Sequence, residues 1–228
     1  MAGKSNANLK NLKQNVIFKR SNVERKTKRC FNKETASRSI GELKKGCEIF
    51  GFTKGQFSKI DIIEHCLEYT GPADVFICTW SASSGDIRRA SSFLRSSKIK
   101  SLKFLVDFSF KSRKPAFLKE LVETFGIDAV RMSVIHAKCV LIRNKEWNLV
   151  IRTSMNLNYN PRFENFEISE DNKFANFIEN IVNEIWENSD ASEALSGYNC
   201  KIERKFRQMY LSDGFDKDNH LDIIPGEL

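Results

Sequence analysis

Val75-Phe76-Ile77-Cys78-Thr79-Trp80 is an almost unbroken apolar run that follows Thr70-Gly71-Pro72. A strand with one wet face alternates polar and apolar residues, whereas a continuous run of this kind is covered on both faces, as in the middle of a sheet flanked by helices. Just upstream, Phe57, Ile60, Ile63, Cys66 and Leu67 recur at helical spacing up to Tyr69, and the Thr-Gly-Pro sequence stops that helix. Downstream, the spacing predicts a helix over 84–98, with Ile87, Ala90 and Leu94 inward and Arg88, Arg89 and Arg95 outward. A strand over 102–110, a helix over Pro115–Phe125 with Pro at its start and Gly126 at its end, and a strand over 129–135 complete the series. Strands alternating with helices imply right-handed crossovers and a largely parallel sheet.

After residue 135 the order changes. Residues 137–142 and 148–152 read as strands joined by a hairpin around Asn144-Lys145, and 165–169 as a further short strand. Phe174, Ala175, Phe177, Ile178, Ile181, Val182, Ile185 and Trp186 form a helical stripe capped by Asp171 or Asn172. The expectation is one α/β domain over 41–190, with a mixed, largely parallel sheet flanked by helices on both faces. Residues 1–40 are expected to be a basic arm, flexible or only locally helical, and 191–228 a less regular acidic C-terminal extension.

Composition bounds the function classes. The 228 residues are 41% hydrophobic with 18 Phe, enough for one sizeable core, and 11 Gly with 4 Pro exclude a collagen-like chain. No apolar run approaches the roughly 20 residues of a membrane-spanning helix. The opening Met-Ala-Gly-Lys-Ser-Asn-Ala-Asn lacks the apolar stretch of a secretory signal, so the sequence predicts a soluble, cytoplasmic protein with no membrane partner. The six cysteines are spread out with no Cys-x-x-Cys pair, which predicts reduced thiols rather than a disulfide framework or zinc site. His65 and Cys66 are adjacent on a helix and point about 100° apart, poorly placed to share a metal.

The net charge of +8 is unevenly distributed: residues 1–38 hold eleven Lys/Arg and two Glu, while 39–228 hold 26 basic and 27 acidic residues. A basic arm of this kind favours nucleic acid, because each neutralised phosphate releases counterions. Arg20, Arg25, Lys26, Lys28 and Arg29 are candidate phosphate contacts, with Arg88 and Arg89 near strand ends, where sites in α/β sheets form.

Of three histidines, His220 lies in the acidic tail and reads as solvated, and His65 reads as a surface or half-buried helix residue. His136 is different. In extended structure His136 and Lys138 point to the same side, ahead of the apolar Cys139-Val140-Leu141-Ile142. An ammonium pushed toward a covered face needs a partner, and an anionic ligand would supply one. Ser154 and Asn156 stand on one side of Thr153-Ser154-Met155-Asn156, and Asn165-Phe166-Glu167 follows.

This ordered set resembles the phospholipase D superfamily, whose signature is His-x-Lys, an Asp, Gly-Ser-x-Asn and a downstream Glu. The family's Asp would fall at Arg143 and its Gly at Thr153, and the segment from Lys138 to Ser154 is three residues longer than the usual pattern. The resemblance implies a phospholipase D-like fold, a covalent phosphohistidine formed on His136, and neither metal nor cofactor. Phosphoryl transfer needs an in-line nucleophile and cations around the equatorial oxygens. Imidazole, with a pKa of about 6.5, is neutral enough to attack. Glu167 would orient it, while Lys138, Ser154 and Asn156 would hold the nonbridging oxygens. The family usually takes the second histidine, which protonates the leaving group, from a second motif. This chain has one motif, which implies a homodimer with His136 of each subunit facing the other. The sequence therefore favours a metal-independent nuclease acting on DNA. A catalytically silent nucleic-acid-binding protein comes second, and a phospholipid hydrolase last, since no membrane-docking amphipathic helix stands out.

Overall fold

A computed structural model describes residues 23–189 and residue 191. Among the described residues the strands are β1 (Arg25–Cys30), β2 (Glu48–Thr53), β3 (Ala73–Thr79), β4 (Ile99–Asp107), β5 (Val130–Ser133), β6 (Cys139–Arg143), β7 (Asn148–Thr153) and β8 (Glu164–Glu170). The helices are α1 (Ala36–Ile40), α2 (Lys59–Thr70), α3 (Ser84–Arg95), α4 (Ser109–Arg113), α5 (Pro115–Phe125) and α6 (Asn172–Glu187). All eight strands form one sheet in the order β1-β2-β8-β7-β6-β3-β4-β5.

The expected α/β sheet flanked by helices is present, but the description "largely parallel" needs correction. Only β1/β2, β3/β4 and β4/β5 pair in parallel; β2/β8, β8/β7, β7/β6 and β6/β3 are antiparallel. The two halves have different causes. Crossover helices α3 and α5 force β3, β4 and β5 into parallel alignment. By contrast, β6 and β7 are joined by a tight hairpin, in which Asn144 Oδ1 accepts the N–H groups of Glu146 and Trp147 at 2.9 and 2.8 Å.

Arg25–Cys30, placed by the sequence in a flexible arm, is an edge strand running parallel to β2. An edge strand tolerates charge because its outer side is wet. Only Cys30 of β1 is buried, and Arg25 Nη2 pairs with Glu48 at 3.1 Å. Helix α1 follows, with Thr35 as its N-cap and Ala36 and Ile40 buried. Residues 1–22 and 192–228, and with them the outer arm and nearly all of the C-terminal extension, lie outside the described residues.

Two apolar layers hold the sheet. One face carries Ile49, Ile77, Phe104, Val140, Ile151, Phe166 and Ile168 against residues of α1, α2, α3 and α5. The other carries Phe76, Leu105, Leu141 and Val150 against Ala175, Val182 and Ile185 of α6. On the first face the Phe166 ring lies across Gly51, where a Cβ would come within 2.5 Å of the ring. His65, expected near the surface, is buried in that layer, its Nε2 2.9 Å from the Gly41 carbonyl oxygen. Packing of α1 over α2 covers it, a contact invisible when residues 36–40 are read as an arm.

Candidate functional site

The carboxyl ends of β1, β2, β3, β4, β5 and β7 and the amino ends of β6 and β8 lie along one edge of the sheet, as the strand registers require. His136 and Lys138 are in the β5–β6 connection on this edge, just ahead of the strand expected to hold them. Asp107, the last residue of β4, sets the course of that connection: its Oδ2 accepts the N–H of Ile135 at 2.9 Å, and its Oδ1 that of Ser109 at 2.9 Å. On the other side, Lys138 O accepts the N–H of Thr153 at 3.1 Å. His136 is therefore suspended between two tied points.

His136 is exposed. Lys138 folds back on it, donating from Nζ to the His136 carbonyl at 2.9 Å and lying 3.3 and 3.4 Å from its two ring nitrogens. Burial pushes the Lys138 pKa below the usual lysine range, and the Glu164 carboxylate works in the opposite direction. The His136 ring also meets Trp80 edge-on at 5.6 Å. Trp80 is in turn covered by Arg113, whose guanidinium carbon lies 3.3 Å from the ring centroid and whose Nη2 donates to the Trp80 carbonyl at 3.2 Å.

The Ser-x-Asn segment follows β7. Ser154 donates its hydroxyl proton to Glu164 Oε2 and accepts the N–H of Asn165 at 3.0 Å. Thr153, where the resembled pattern has Gly, turns its hydroxyl back into the sheet, donating to Asn165 O at 2.6 Å and accepting from Met155 N–H at 3.0 Å. Its extra bulk is thus spent on the β7–β8 corner. The chain beyond is pinned to the β3–α3 connection by Leu157, whose N–H bonds Ser81 O and Thr79 Oγ1, both at 3.0 Å. Asn156 is half-buried, and its Oδ1 is buried without a hydrogen-bond partner.

Glu167 does not join this group. It faces Arg152 across the β7/β8 ladder and pairs with it at 2.6 Å, with Arg25 at 3.6 Å. Arg152 lies over the Phe174 ring of α6, so Glu167 belongs to the α6 face, whereas Phe166 and Ile168 point to the opposite one. Side chains alternate along a strand, so Glu164 shares the face of Phe166. Glu164, three positions before Glu167, is thus the carboxylate that the structure brings to Ser154.

Among the basic candidates, Arg20 lies outside the described residues. Arg25, Lys26, Lys28 and Arg29 are on β1, and Arg25 is engaged by Glu48 and Glu167. Arg89 is bonded to Asp61 and Glu64, both at 2.7 Å, and so ties α3 to α2 instead of facing solvent freely. Arg88 is more exposed, within 3.5 Å of Glu120. A second cation lies beneath the site. Lys59 is fully buried at the start of α2, donates to the Cys78 carbonyl at 3.2 Å, and has its pKa pushed down to about 8 by burial.

The chain is thus a mixed α/β protein with a His-Lys-Ser-Glu cluster at one sheet edge. Among the described residues no helix is long and apolar enough to cross a membrane. No protein-family model matches the sequence and no curated protein is similar to it. Among solved structures, the fold is similar to a phospholipase D family member, Nuc from Salmonella typhimurium. That match has a TM-score of 0.43 and 13% identity, covering 63% of this chain and 95% of that one.

Proposed function

We propose that the protein is a metal-independent phosphodiesterase, a nuclease acting on DNA. The observation carrying this reading is the Lys138 ammonium held against the imidazole of His136, with Ser154 and Glu164 at the same sheet edge. His136 attacks phosphorus, the P–O bond to the leaving group breaks, and a phosphohistidine forms; water then attacks phosphorus and releases the imidazole. Lys138, with its cationic charge, and the side-chain amide of Asn156 take the nonbridging oxygens. Ser154 has one hydroxyl proton, and Glu164 accepts it; the hydroxyl turns to phosphate only as that bond is given up. Glu164, rather than Glu167, is the carboxylate positioned to balance Lys138 and hold the cluster in order. His136 of a second subunit, across a two-fold axis, protonates the leaving oxygen.

A silent nucleic-acid-binding protein is the competing reading, favoured by the commitment of Ser154 to Glu164 and by the departures at Arg143 and Thr153. Arg143 is itself occupied, bonding Asn148 at 2.9 Å and Asn172 at 3.1 Å and pairing with Glu179. Hydrolysis of bis-p-nitrophenyl phosphate and DNA in EDTA separates the two. Turnover that disappears in His136→Asn supports the enzyme; salt-sensitive DNA binding without turnover supports the silent protein. Sedimentation velocity tests the dimer.

A further inference from the structure

Helix α6 covers the middle of its sheet face, and no residue of β1, β2 or β8 belongs to that packed layer. The strand registers put Arg25, Thr27 and Arg29 of β1, Phe50 and Phe52 of β2, and Asn165 and Glu167 of β8 on this side. At the site edge the surface becomes aromatic. Phe163, 62% exposed, stacks on Phe52 with centroids 4.9 Å apart and planes 17° apart, and Phe31, 40% exposed, stands 6.1 Å from Phe163. Phe50 closes the row, edge-on to Phe52 at 5.2 Å.

Cations accompany these rings. Lys54 Nζ lies 4.9 Å from the Phe31 centroid, exposed Arg29 is the register partner of Phe52, and exposed Arg162 precedes Phe163. The carboxylates on this face, Glu48 and Glu167, lie further down the strands, paired with Arg25 and Arg152. Exposed rings interleaved with cations suit a polyanion whose units carry flat faces. In a duplex those faces are covered by neighbouring bases; in a single strand they are available. Exposed phenylalanine and arginine are also enriched where proteins dock, so a second copy on this face is an outcome of the test below.

We propose that Phe31, Phe52 and Phe163 form a stacking platform for single-stranded nucleic acid, with Arg29, Lys54 and Arg162 contacting its phosphates. The proposal rests on the nuclease reading for its connection to chemistry: Phe163, on the α6 face, directly precedes Glu164, on the opposite face, so platform and cluster meet at the same edge of the sheet and a single strand rounding that edge reaches both. It specifies the strandedness of the substrate.

The test measures fluorescence anisotropy of a short labelled oligothymidylate and of a labelled hairpin duplex with the full chain, all variants carrying His136→Asn to prevent turnover. Phe163→Ala is expected to weaken single-strand binding roughly tenfold, in line with base–aromatic stacking, and duplex binding less than about twofold. Phe163→Trp keeps single-strand affinity. Unchanged single-strand affinity in Phe163→Ala overturns the platform, as does a parent preference for duplex. Conversion of a dimer to a monomer by Phe163→Ala, with nucleic-acid binding intact, also overturns it by giving the face to a second copy. Absence of hydrolysis in every wild-type assay counts against the phosphodiesterase alone, since the anisotropy comparison decides the platform by itself.

Discussion

Lys59→Met is expected to stabilise the protein near neutral pH, although it removes a hydrogen bond and a charge next to the site. The buried ammonium has its pKa lowered from 10.5 to about 8. At about 1.4 kcal/mol per decade, that difference means the charged form costs the fold on the order of 3 kcal/mol. Met fills similar volume without this cost. Against it stands the bond from Nζ to the Cys78 carbonyl, at 3.2 Å, whose loss costs roughly 1–2 kcal/mol. The net gain is about 1–2 kcal/mol, or a rise in Tm of roughly 2–8 °C for a domain of this size. The sign of the pH dependence follows from linkage. Below pH about 8 Lys59 is protonated both folded and unfolded, and the full penalty applies. Between about 8 and 10.5 the folded chain loses the proton first, so wild-type stability climbs by about 3 kcal/mol and passes that of the variant by the end of the window. Thermal melts of both proteins across this range, followed by circular dichroism, give the difference curve, to which Cys78, Cys139, Asp86 and Lys138 also contribute because each is coupled to the Lys59 charge. A variant less stable than wild type at neutral pH, or a difference curve flat from 8 to 10.5, refutes the reasoning.

Three further outcomes are expected. His136→Asn and Lys138→Ala each lower cleavage in EDTA by at least about a hundredfold with circular dichroism unchanged, and undiminished cleavage in either removes that residue from the chemistry. Glu164→Gln reduces kcat roughly tenfold or more, while Glu167→Gln leaves kcat alone and costs up to about 1 kcal/mol in urea denaturation; the reverse order refutes the placement of the two carboxylates. Gly51→Ala forces a methyl to within 2.5 Å of the Phe166 ring, so the ring must shift. A loss of about 1–3 kcal/mol in urea midpoints is expected, and a neutral result means the ring has room the packing denies.

Elements dominated by their own hydrophobic pattern were legible from sequence. The run at Val75–Cys78 is the buried centre of the sheet, and the helix at Pro115–Phe125 starts at its proline and ends before Gly126. Boundaries shifted where tertiary contacts decide them. Strand β4 begins at Ile99 rather than 102 because Ile99, Ser101 and Leu102 pair with Ala73, Asp74 and Val75, although Lys100 and Ser101 are exposed. Strand β1 was illegible for a stronger reason: Arg-Lys-Thr-Lys-Arg has no apolar face, and it is a strand because β2 offers an unpaired edge.

The site shows the same division between short-range and long-range information. The proposal of His136, Lys138, Ser154 and Asn156 draws on residue types and spacing in one connected stretch that suit anion chemistry. The choice between Glu164 and Glu167 was not legible in that way, because three positions along a strand reverse the face. What decides it is where β8 begins, and that is set by the loop between β7 and β8. Gly55, at φ +82°, lies against that loop, where a Cβ would come within 2.4 Å of Pro161 Cα and 2.5 Å of Asn160 O. Leu157 is bonded to the β3–α3 connection, and Thr53 pairs with Glu164 at the end of β2. The loop is thus held by Thr53, Gly55, Thr79 and Ser81, all far earlier in the sequence, and their grip starts β8 in the register that turns Glu164 toward the core face. A one-residue change in that loop would exchange the faces of every β8 side chain, bringing Phe166 out and Glu167 in. Burial of Phe166 and Ile168 therefore fixes which glutamate stands beside Ser154, so the packing of the core selects the carboxylate at this sheet edge.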